Sequence, residues 1–200
     1  MIFDYPDWST VHHKHWKQIL DKHLKTDQPI TMVEVGCFEG RSTVWFADYL
    51  KHHPDSRMFC IDSWLGGEEV ERVKLSFDMP KVCKNFFYNV DQLDQKNKIF
   101  KYVMQSELAL GHFFPKYCRG IDFFYLDGSH TQRDTLVDLT LSLSLLKQGG
   151  VIIVDDYDNN MATNNRLLRP RDAVDFVVKS FDNEIEFFTT PEQQAVIIRK

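Results

Sequence analysis

The feature that most constrains the fold is the alternation of short apolar runs with longer amphipathic segments along most of the chain. Each apolar run has the length of one buried strand, and each amphipathic segment is long enough for a covering helix. This pattern predicts an α/β fold built on a doubly wound, mostly parallel sheet. The predicted strands are residues 31–35, 58–61, 100–104, 121–126, 151–154, 185–188 and 195–198.

The last two predicted strands are close in sequence, so we expect them to add an antiparallel edge hairpin and to bring the sheet to seven strands. The first helix is predicted to begin at Ser9 as N-cap. Gly149 and Gly150 predict the end of the helix over residues 132–146. Further helices are predicted from about Ser42, over residues 107–114 and over residues 171–181. The expected buried face of the first helix is Trp16, Ile19, Leu20 and Leu24.

Size and charge exclude several classes of protein. The 200 residues, 43% of them hydrophobic, suffice for one core, so we expect a single domain over 1–200, with a helical extension at 1–30 and its core at 31–200. The net charge of -5 disfavours nucleic acid as a partner. The N-terminus lacks the pattern of a signal peptide, and no apolar stretch approaches the ~20 residues that span a bilayer. These features predict a soluble, cytoplasmic protein that does not bind membranes.

Three groups of residues are interpreted without a binding role. The four cysteines form no CxxC pair, which predicts reduced thiols and no zinc site. Four histidines near the N-terminus have spacings that scatter their rings over different helix faces, so we expect them to be solvated. These are His12, His13, His15 and His23. Arg166, Arg169 and Arg171 are expected on a solvated loop and helix start, with binding of a phosphate or sugar acid as the alternative.

A glycine-bearing turn follows the first strand, at the sheet edge where doubly wound folds bind ligands. Gly36 and Gly40 allow close approach to the backbone, while Ser42 and the free amides of the next helix can meet a carboxylate. The spacing is GxxxG, with Phe38 where the dinucleotide pattern has glycine, which disfavours a dehydrogenase. Asp62 ends the second strand and can accept hydrogen bonds from ribose hydroxyls. Together these features predict a nucleoside site.

Three acids follow two later strands. Asp127 ends one strand, and Asp155 and Asp156 end the next, so their carboxylates should meet at one edge of the sheet. They would repel one another without a cation, and Mg²⁺ fits oxygen ligands best, with Mn²⁺ or Ca²⁺ as substitutes. The alternative is that they cap loops and helices. His130, three residues after Asp127, is the candidate general base.

The motifs together resemble a known family. They are Glu34-x-Gly36-x-x-x-Gly40-x-Ser42, Ile61-Asp62-Ser63-Trp64, Asp127-Gly128-Ser129-His130, Gly149-Gly150-Val151 and Asp155-Asp156-Tyr157. This set resembles the class I methyltransferases, and most of all the branch of metal-dependent sugar O-methyltransferases of macrolide tailoring, such as macrocin O-methyltransferase. The likeness runs from about Thr31 to the C-terminus.

The resemblance implies roles for individual positions. The first glycine turn, with Glu34, Gly36, Gly40 and Ser42, would hold the methionine portion of S-adenosylmethionine, and Asp62 its ribose. Trp64 and Ser106 match positions near the adenine. Asp127, Asp155 and Asp156 match the metal ligands, and His130 matches the base.

The sequence therefore predicts an S-adenosylmethionine-dependent and Mg²⁺-dependent enzyme that methylates a hydroxyl of a sugar or glycan. A catechol-like phenol as acceptor and a non-catalytic module that binds S-adenosylmethionine are the alternatives, and a dehydrogenase is a third. Residues 63–96 and 157–165 are candidates for closing over the site. A homodimer and a role for residues 1–30 over the active site are left open.

Overall fold

The computed structural model describes residues 1–66, 77–158 and 169–200. Within them the strands are β1 (Thr31–Val35), β2 (Arg57–Asp62), β3 (Ile99–Val103), β4 (Ile121–Leu126), β5 (Leu146–Val154), β6 (Ile185–Thr189) and β7 (Ala195–Arg199). The helices are α1 (His13–His23), α2 (Arg41–Phe46), α3 (Met79–Asp91), α4 (Ser106–Tyr117), α5 (Gln132–Leu145) and α6 (Pro170–Ser180). Short 3-10 turns cover Thr10–His12, Ala47–His52 and Lys96–Lys98.

The strands form one sheet in the order β3-β2-β1-β4-β5-β7-β6. The first five strands in this order are parallel, while β7 is antiparallel to both β5 and β6. The predicted seven-stranded, doubly wound sheet with an antiparallel edge is therefore confirmed. The strand order reverses between β1 and β4, so the crevice beyond their carboxyl ends is where such a fold binds ligands.

Two hydrophobic layers cover the sheet, one on each face. Because side chains alternate along a strand, neighbouring residues of β1 belong to different layers. Met32 packs with Trp16 of α1 and Phe86 of α3. Val33 packs in the other layer with Leu110 of α4. Helix α1 is thus part of the core, because the side chain of Trp16 is fully buried.

One predicted helix signal is wrong, and another is confirmed only in position. Ser9 is the N-cap residue of the Thr10–His12 turn that leads into α1, but within the described residues its side chain makes no capping hydrogen bond; the carboxylate of Asp7 accepts instead from the amides of Ser9 and Thr10. Helix α5 ends at Leu145 because the backbone is already extended at the next residue, and Gly149 and Gly150 lie inside β5. A Cβ on Gly150 would come within 3.0 Å of the Asp122 carbonyl oxygen, so this glycine serves the close contact between β4 and β5.

The candidate closing segments are described in part. Residues 79–91 of the first one form α3, whereas 67–76 lie outside the described residues. Of the second one, residues 159–165 also lie outside them, as does Arg166. In the ranges that are described, no helix has both the length and the apolar character needed to cross a membrane.

Candidate active site

Strand register brings three predicted site residues into one row. Val35 is paired with Leu126, and Leu126 with Val154, so the next residues along are Gly36, Asp127 and Asp155. Backbone hydrogen bonds continue into this row, because the Asp127 amide donates to the Val35 carbonyl and the Asp155 amide to the Leu126 carbonyl. The glycine turn and two of the acids are therefore neighbours at the carboxyl edge of the sheet.

The turn between β1 and α2 is held by Asp62 at the end of β2. One carboxylate oxygen accepts from the amides of Cys37 and Phe38, at 2.8 and 3.0 Å, and the other accepts from the Trp64 amide at 2.7 Å. Burial raises the pKa of Asp62, and these hydrogen bonds oppose that shift. Gly36 has φ of +81°, and Phe38 has φ of +49° without being glycine. Asp62 thus fixes the turn as well as facing the ligand crevice.

A cavity of about 860 Å³ lies above this edge of the sheet. Among the residues predicted from the sequence, its lining includes Gly36, Asp62, Ser106, Asp127, His130, Asp155 and Asp156. The glycine turn therefore opens into the same space as the acidic cluster, which is formed by Asp127, Asp155 and Asp156. That space is large enough for two small molecules to meet, since ligand pockets commonly measure about 300–1,000 Å³.

Four other residues that the sequence predicts for the site pack beside this cavity without lining it: Glu34, Gly40, Ser42 and Trp64. Glu34 is fully buried, and its carboxylate accepts from the hydroxyls of Ser42 and Thr43. Burial raises the pKa of Glu34 to about 7, against the effect of those hydrogen bonds. These contacts join β1 to α2 and so support the turn from behind.

Gly40 and Trp64 also pack behind the turn. A Cβ on Gly40 would meet the Phe86 ring at 3.0 Å. The Trp64 indole packs on the same ring, with centroids 4.8 Å apart, and donates to the Phe38 carbonyl at 3.0 Å. Both residues thereby hold α3 against the turn.

Tyr125 and His130 join the carboxylates of the acidic cluster in pairs. The Tyr125 hydroxyl lies 2.9 Å from Asp155 Oδ2 and 3.3 Å from Asp127 Oδ2. His130 Nε2 lies 3.3 Å from Asp127 Oδ1 and 3.2 Å from Asp156 Oδ2. The structure thus brings His130 and the three acids together, with each bridging group between two carboxylates.

The electrostatics of this cluster reflect its concentrated negative charge. Desolvation and the charge of Asp155 raise the pKa of Asp127 well above its usual range, while the hydrogen bond with His130 opposes them. Burial and the two neighbouring carboxylates also raise the pKa of Tyr125, so its hydroxyl keeps its proton as a donor. Asp156 has φ of +53°, a conformation that is uncommon outside glycine and concentrates at functional sites.

One group of metal-ligand atoms converges within the described residues, but it has the wrong chemistry for a cation. Glu34, Cys37 and Cys60 bring one such atom each within 4.8 Å of one another. However, burial raises the pKa of both thiols, and the Glu34 carboxylate is already bonded by two hydroxyls. Since the thiolate is the metal-binding form, we interpret this group as part of the core.

Sequence reasoning missed three residues of the site. Tyr125 is two positions before Asp127 on β4, so strand alternation was an available signal for it. Asp138 of α5 lines the cavity, and burial raises its pKa to about 6 against a hydrogen bond with Ser106. His12, expected to be solvated, is 8% exposed and lines the cavity. That expectation was wrong because helix periodicity does not tell which neighbouring element covers a face.

The sequence model of a family described as a methyltransferase domain matches residues 33–157, which include the turn and all three acids. The chain belongs to this family. The predicted enzyme class, a methyltransferase, is therefore confirmed. No curated protein matches the chain.

Several solved structures share the fold of this methyltransferase. TomG, an O-methyltransferase from Streptomyces achromogenes solved with SAM, is 14% identical, with a TM-score of 0.69 over 97% of this chain and 82% of its own. An O-methyltransferase from Bacillus cereus solved with SAH is 16% identical, with a TM-score of 0.69 over 97% and 83%. CalS11, a TDP-rhamnose 3'-O-methyltransferase, is 16% identical, with a TM-score of 0.65 over 97% and 81%. At these identities the likeness shows the fold.

Proposed function

We propose that this methyltransferase transfers a methyl group from S-adenosylmethionine to a hydroxyl of a sugar or glycan, with the help of a divalent cation. One observation carries the proposal. The glycine turn and the acidic cluster with His130 line the same cavity, so a nucleoside donor and an activated hydroxyl have room to meet.

The donor would bind on the β1–β2 side of the cavity. Gly36 presents backbone that a ligand can approach closely, and Asp62 lies at the end of β2, where a carboxylate can accept from ribose hydroxyls. Ser106 lines the cavity at the start of α4, in reach of the remaining part of a nucleoside. Glu34, Gly40, Ser42 and Trp64 would act from behind, by holding the turn in this shape.

The cation would bind at the three aspartates. Asp127, Asp155 and Asp156 offer hard oxygen donors at a partly exposed edge, the donor type that Mg²⁺ or Mn²⁺ prefers, so the donor chemistry of these residues suits such an ion. Bound there, the ion would supply Lewis-acid polarisation of a hydroxyl. Gln194 orients Asp155 by donating to its Oδ1 at 2.8 Å.

His130 would accept the proton of the acceptor hydroxyl. Its Nε2 lies between Asp127 and Asp156, so an imidazolium formed at this place has two carboxylates to stabilise its charge. Its side chain is 27% exposed toward the cavity, which leaves the ring accessible to a substrate. A positioned base of this kind contributes about 10²–10⁴-fold to rate.

The comparisons support the donor and the kind of acceptor. TomG was solved with SAM, and the name of CalS11 states a sugar substrate. We also propose that the protein belongs to the branch that resembles macrocin O-methyltransferase, that residues 1–200 form one domain and that the protein is cytoplasmic. A catechol-like phenol is the second candidate, because the aromatic rings of Trp8, Phe38 and Phe77 line the cavity and suit a flat ring.

Mass spectrometry of methyl transfer tests the proposal. The purified protein would be incubated with S-adenosylmethionine, Mg²⁺ and a panel of sugars and phenols, in parallel with EDTA and with His130→Ala. We expect a mass gain of one methyl group on a panel member, lost in both parallel reactions. Full transfer in EDTA would remove the cation from the proposal, and absence of S-adenosylhomocysteine binding by calorimetry would refute the donor.

A further inference from the structure

We propose that the N-terminal segment, residues 5–12, forms the acceptor-binding wall of the active site. In this wall Trp8 provides a face for an uncharged ring, and His12 hydrogen-bonds to the acceptor. The inference rests on the proposed function, because it names where the acceptor of that reaction binds. The segment precedes the residues matched by the family, 33–157, so membership of the family assigns it no role.

The beginning of the segment is anchored to the glycine turn. The buried Glu39 carboxylate accepts from the amides of Asp4 and Tyr5, at 3.0 and 3.2 Å. Asn85 of α3 donates to the same carboxylate at 2.8 Å, and Arg41 donates to the Tyr5 carbonyl at 3.0 Å. These hydrogen bonds hold the start of the segment against the turn between β1 and α2 and leave the buried Glu39 carboxylate with partners.

The other end of the segment is anchored to the acidic cluster. The Thr10–His12 turn leads into α1, whose Trp16 indole donates to Gln194 Oε1 at 2.8 Å. Gln194 in turn donates to Asp155. With both ends held, residues 8–12 have a set position beside the cavity.

His12 lacks the partners that a buried histidine normally has. It is 8% exposed, and within the described residues neither ring nitrogen makes a hydrogen bond, with Nδ1 fully covered. Its Nε2 lies 3.9 Å from Asp155 Oδ1, too far for a hydrogen bond. Stacking on Trp16, with centroids 5.6 Å apart, holds the ring in this orientation. Because Nδ1 is covered by protein, Nε2 is the nitrogen that a ligand in the cavity can reach. A mostly buried imidazole without a hydrogen bond is unfavourable, so the arrangement points to an acceptor hydroxyl that hydrogen-bonds to Nε2.

Trp8 supplies an aromatic face near the same acids. It is 51% exposed although it lines the cavity, and its ring lies 5.9 Å from Phe38. A small recess of about 70 Å³ connects Trp8 with Gly36, Asp127 and Asp155. Trp8 thus borders both the donor turn and the acidic cluster, so a ring stacked on its exposed face in the larger cavity would be near the two groups that methyl transfer must bring together.

The charge around the wall selects an uncharged acceptor. Glu192, from the turn between β6 and β7, lines the cavity together with the three aspartates of the cluster. Even with a divalent cation at those aspartates, an anionic acceptor would meet an excess of negative charge, because Asp62, Glu107 and Asp134 also line the cavity and Arg133 is the one arginine or lysine in the described lining. A neutral ring with hydroxyls would not be repelled.

The test compares donor and acceptor binding in the full-length protein. Calorimetry would measure S-adenosylhomocysteine, and ligand-observed NMR with Mg²⁺ would measure three probes: catechol, methyl rhamnoside and TDP-rhamnose. The variants are Trp8→Ala and His12→Gln, and the control is Val11→Ala, which lies in the same turn, is 61% exposed and does not line the cavity. We expect Trp8→Ala and His12→Gln each to lower the affinity for a neutral probe by about tenfold and to leave the affinity for S-adenosylhomocysteine within about twofold of the unmodified protein.

The outcomes separate this inference from the proposed function. Failure of the unmodified protein to bind S-adenosylhomocysteine would refute the proposed function itself. Normal S-adenosylhomocysteine binding, with both variants binding the neutral probes as the unmodified protein does, would overturn the acceptor wall alone. Binding of neither neutral probe, or tighter binding of TDP-rhamnose, would also overturn it. A comparison of the affinities for catechol and methyl rhamnoside then shows whether an aromatic ring or a sugar ring binds better.

Discussion

Gly36 packs directly against the backbone of Asp127, so closely that a Cβ on Gly36 would lie 1.8 Å from the Asp127 carbonyl oxygen. This contact joins the donor turn to the first acid of the cluster. Because it leaves no space for a side chain, both halves of the site depend on glycine at this position.

Gly36→Ala should accordingly destabilise the protein strongly. The alanine Cβ would overlap with the Asp127 backbone, which cannot move away, and alanine is also strained at φ of +81°. Together these effects should lower the free energy of unfolding by about 3 kcal/mol or more. Urea unfolding measures the change. Gly149→Ala is the matched control, since Gly149 has φ of +76° with no atom of the described residues within 4 Å of an added Cβ. This variant should lose only about 1 kcal/mol of its free energy of unfolding. Equal losses would contradict the steric explanation.

Glu34→Gln should alter how stability depends on pH. The pKa of Glu34 is about 7 in the folded protein and 4.5 in the reference state, so the folded state holds the proton more tightly between these values. Its contribution therefore falls as pH rises from about 4.5 to 7, by up to about 1.4 kcal/mol per pH unit, and glutamine removes this decline.

Urea unfolding at pH 5, 7 and 8.5 would show the difference. The free energy of unfolding of the unmodified protein should fall as pH rises over this range, and that of Glu34→Gln should fall by less. Glu186→Gln, at an exposed position of β6, should keep the original slope. The same slope in both variants would mean that Glu34 does not retain its proton on folding.

His130→Gln should lower kcat by about 10²–10⁴-fold without changing S-adenosylhomocysteine affinity. The reason is that glutamine can bond to Asp127 and Asp156 but cannot accept a proton at neutral pH. Steady-state kinetics and calorimetry measure the two quantities. His52→Gln, at an exposed position, should change neither. A variant that keeps most of its kcat would assign the proton to another group.

Asp155→Asn should raise the Mg²⁺ concentration needed for half-maximal activity by about tenfold or more. The substitution removes one negative charge at the Tyr125 and Gln194 contacts while keeping the shape of the side chain. A Mg²⁺ titration of activity, after EDTA treatment, provides the measurement. Asp158→Asn alters an exposed acid paired with Arg171 and should leave the requirement unchanged. Equal Mg²⁺ requirements in both variants would place the cation elsewhere.

The sequence by itself determined the sheet and its ligand-binding edge. Predicted strands 31–35 and 121–126 coincide with β1 and β4, because each is a short apolar run next to a turn or a charged residue. Once the strands are parallel, the residues that follow them must meet at one edge, which is how Gly36, Asp127 and Asp155 could be placed together.

Only the tertiary structure decided which side chains face the cavity. Glu34 is only two residues before Gly36 in sequence, yet it points into the core, because strands of a parallel sheet are buried on both faces and their pattern does not distinguish one face from the other. His12 reaches the acidic edge because α1 packs on the sheet with Trp16 in the core, a contact between segments far apart in the chain. Local periodicity carries no information about such a contact, since it arises from the packing of whole elements.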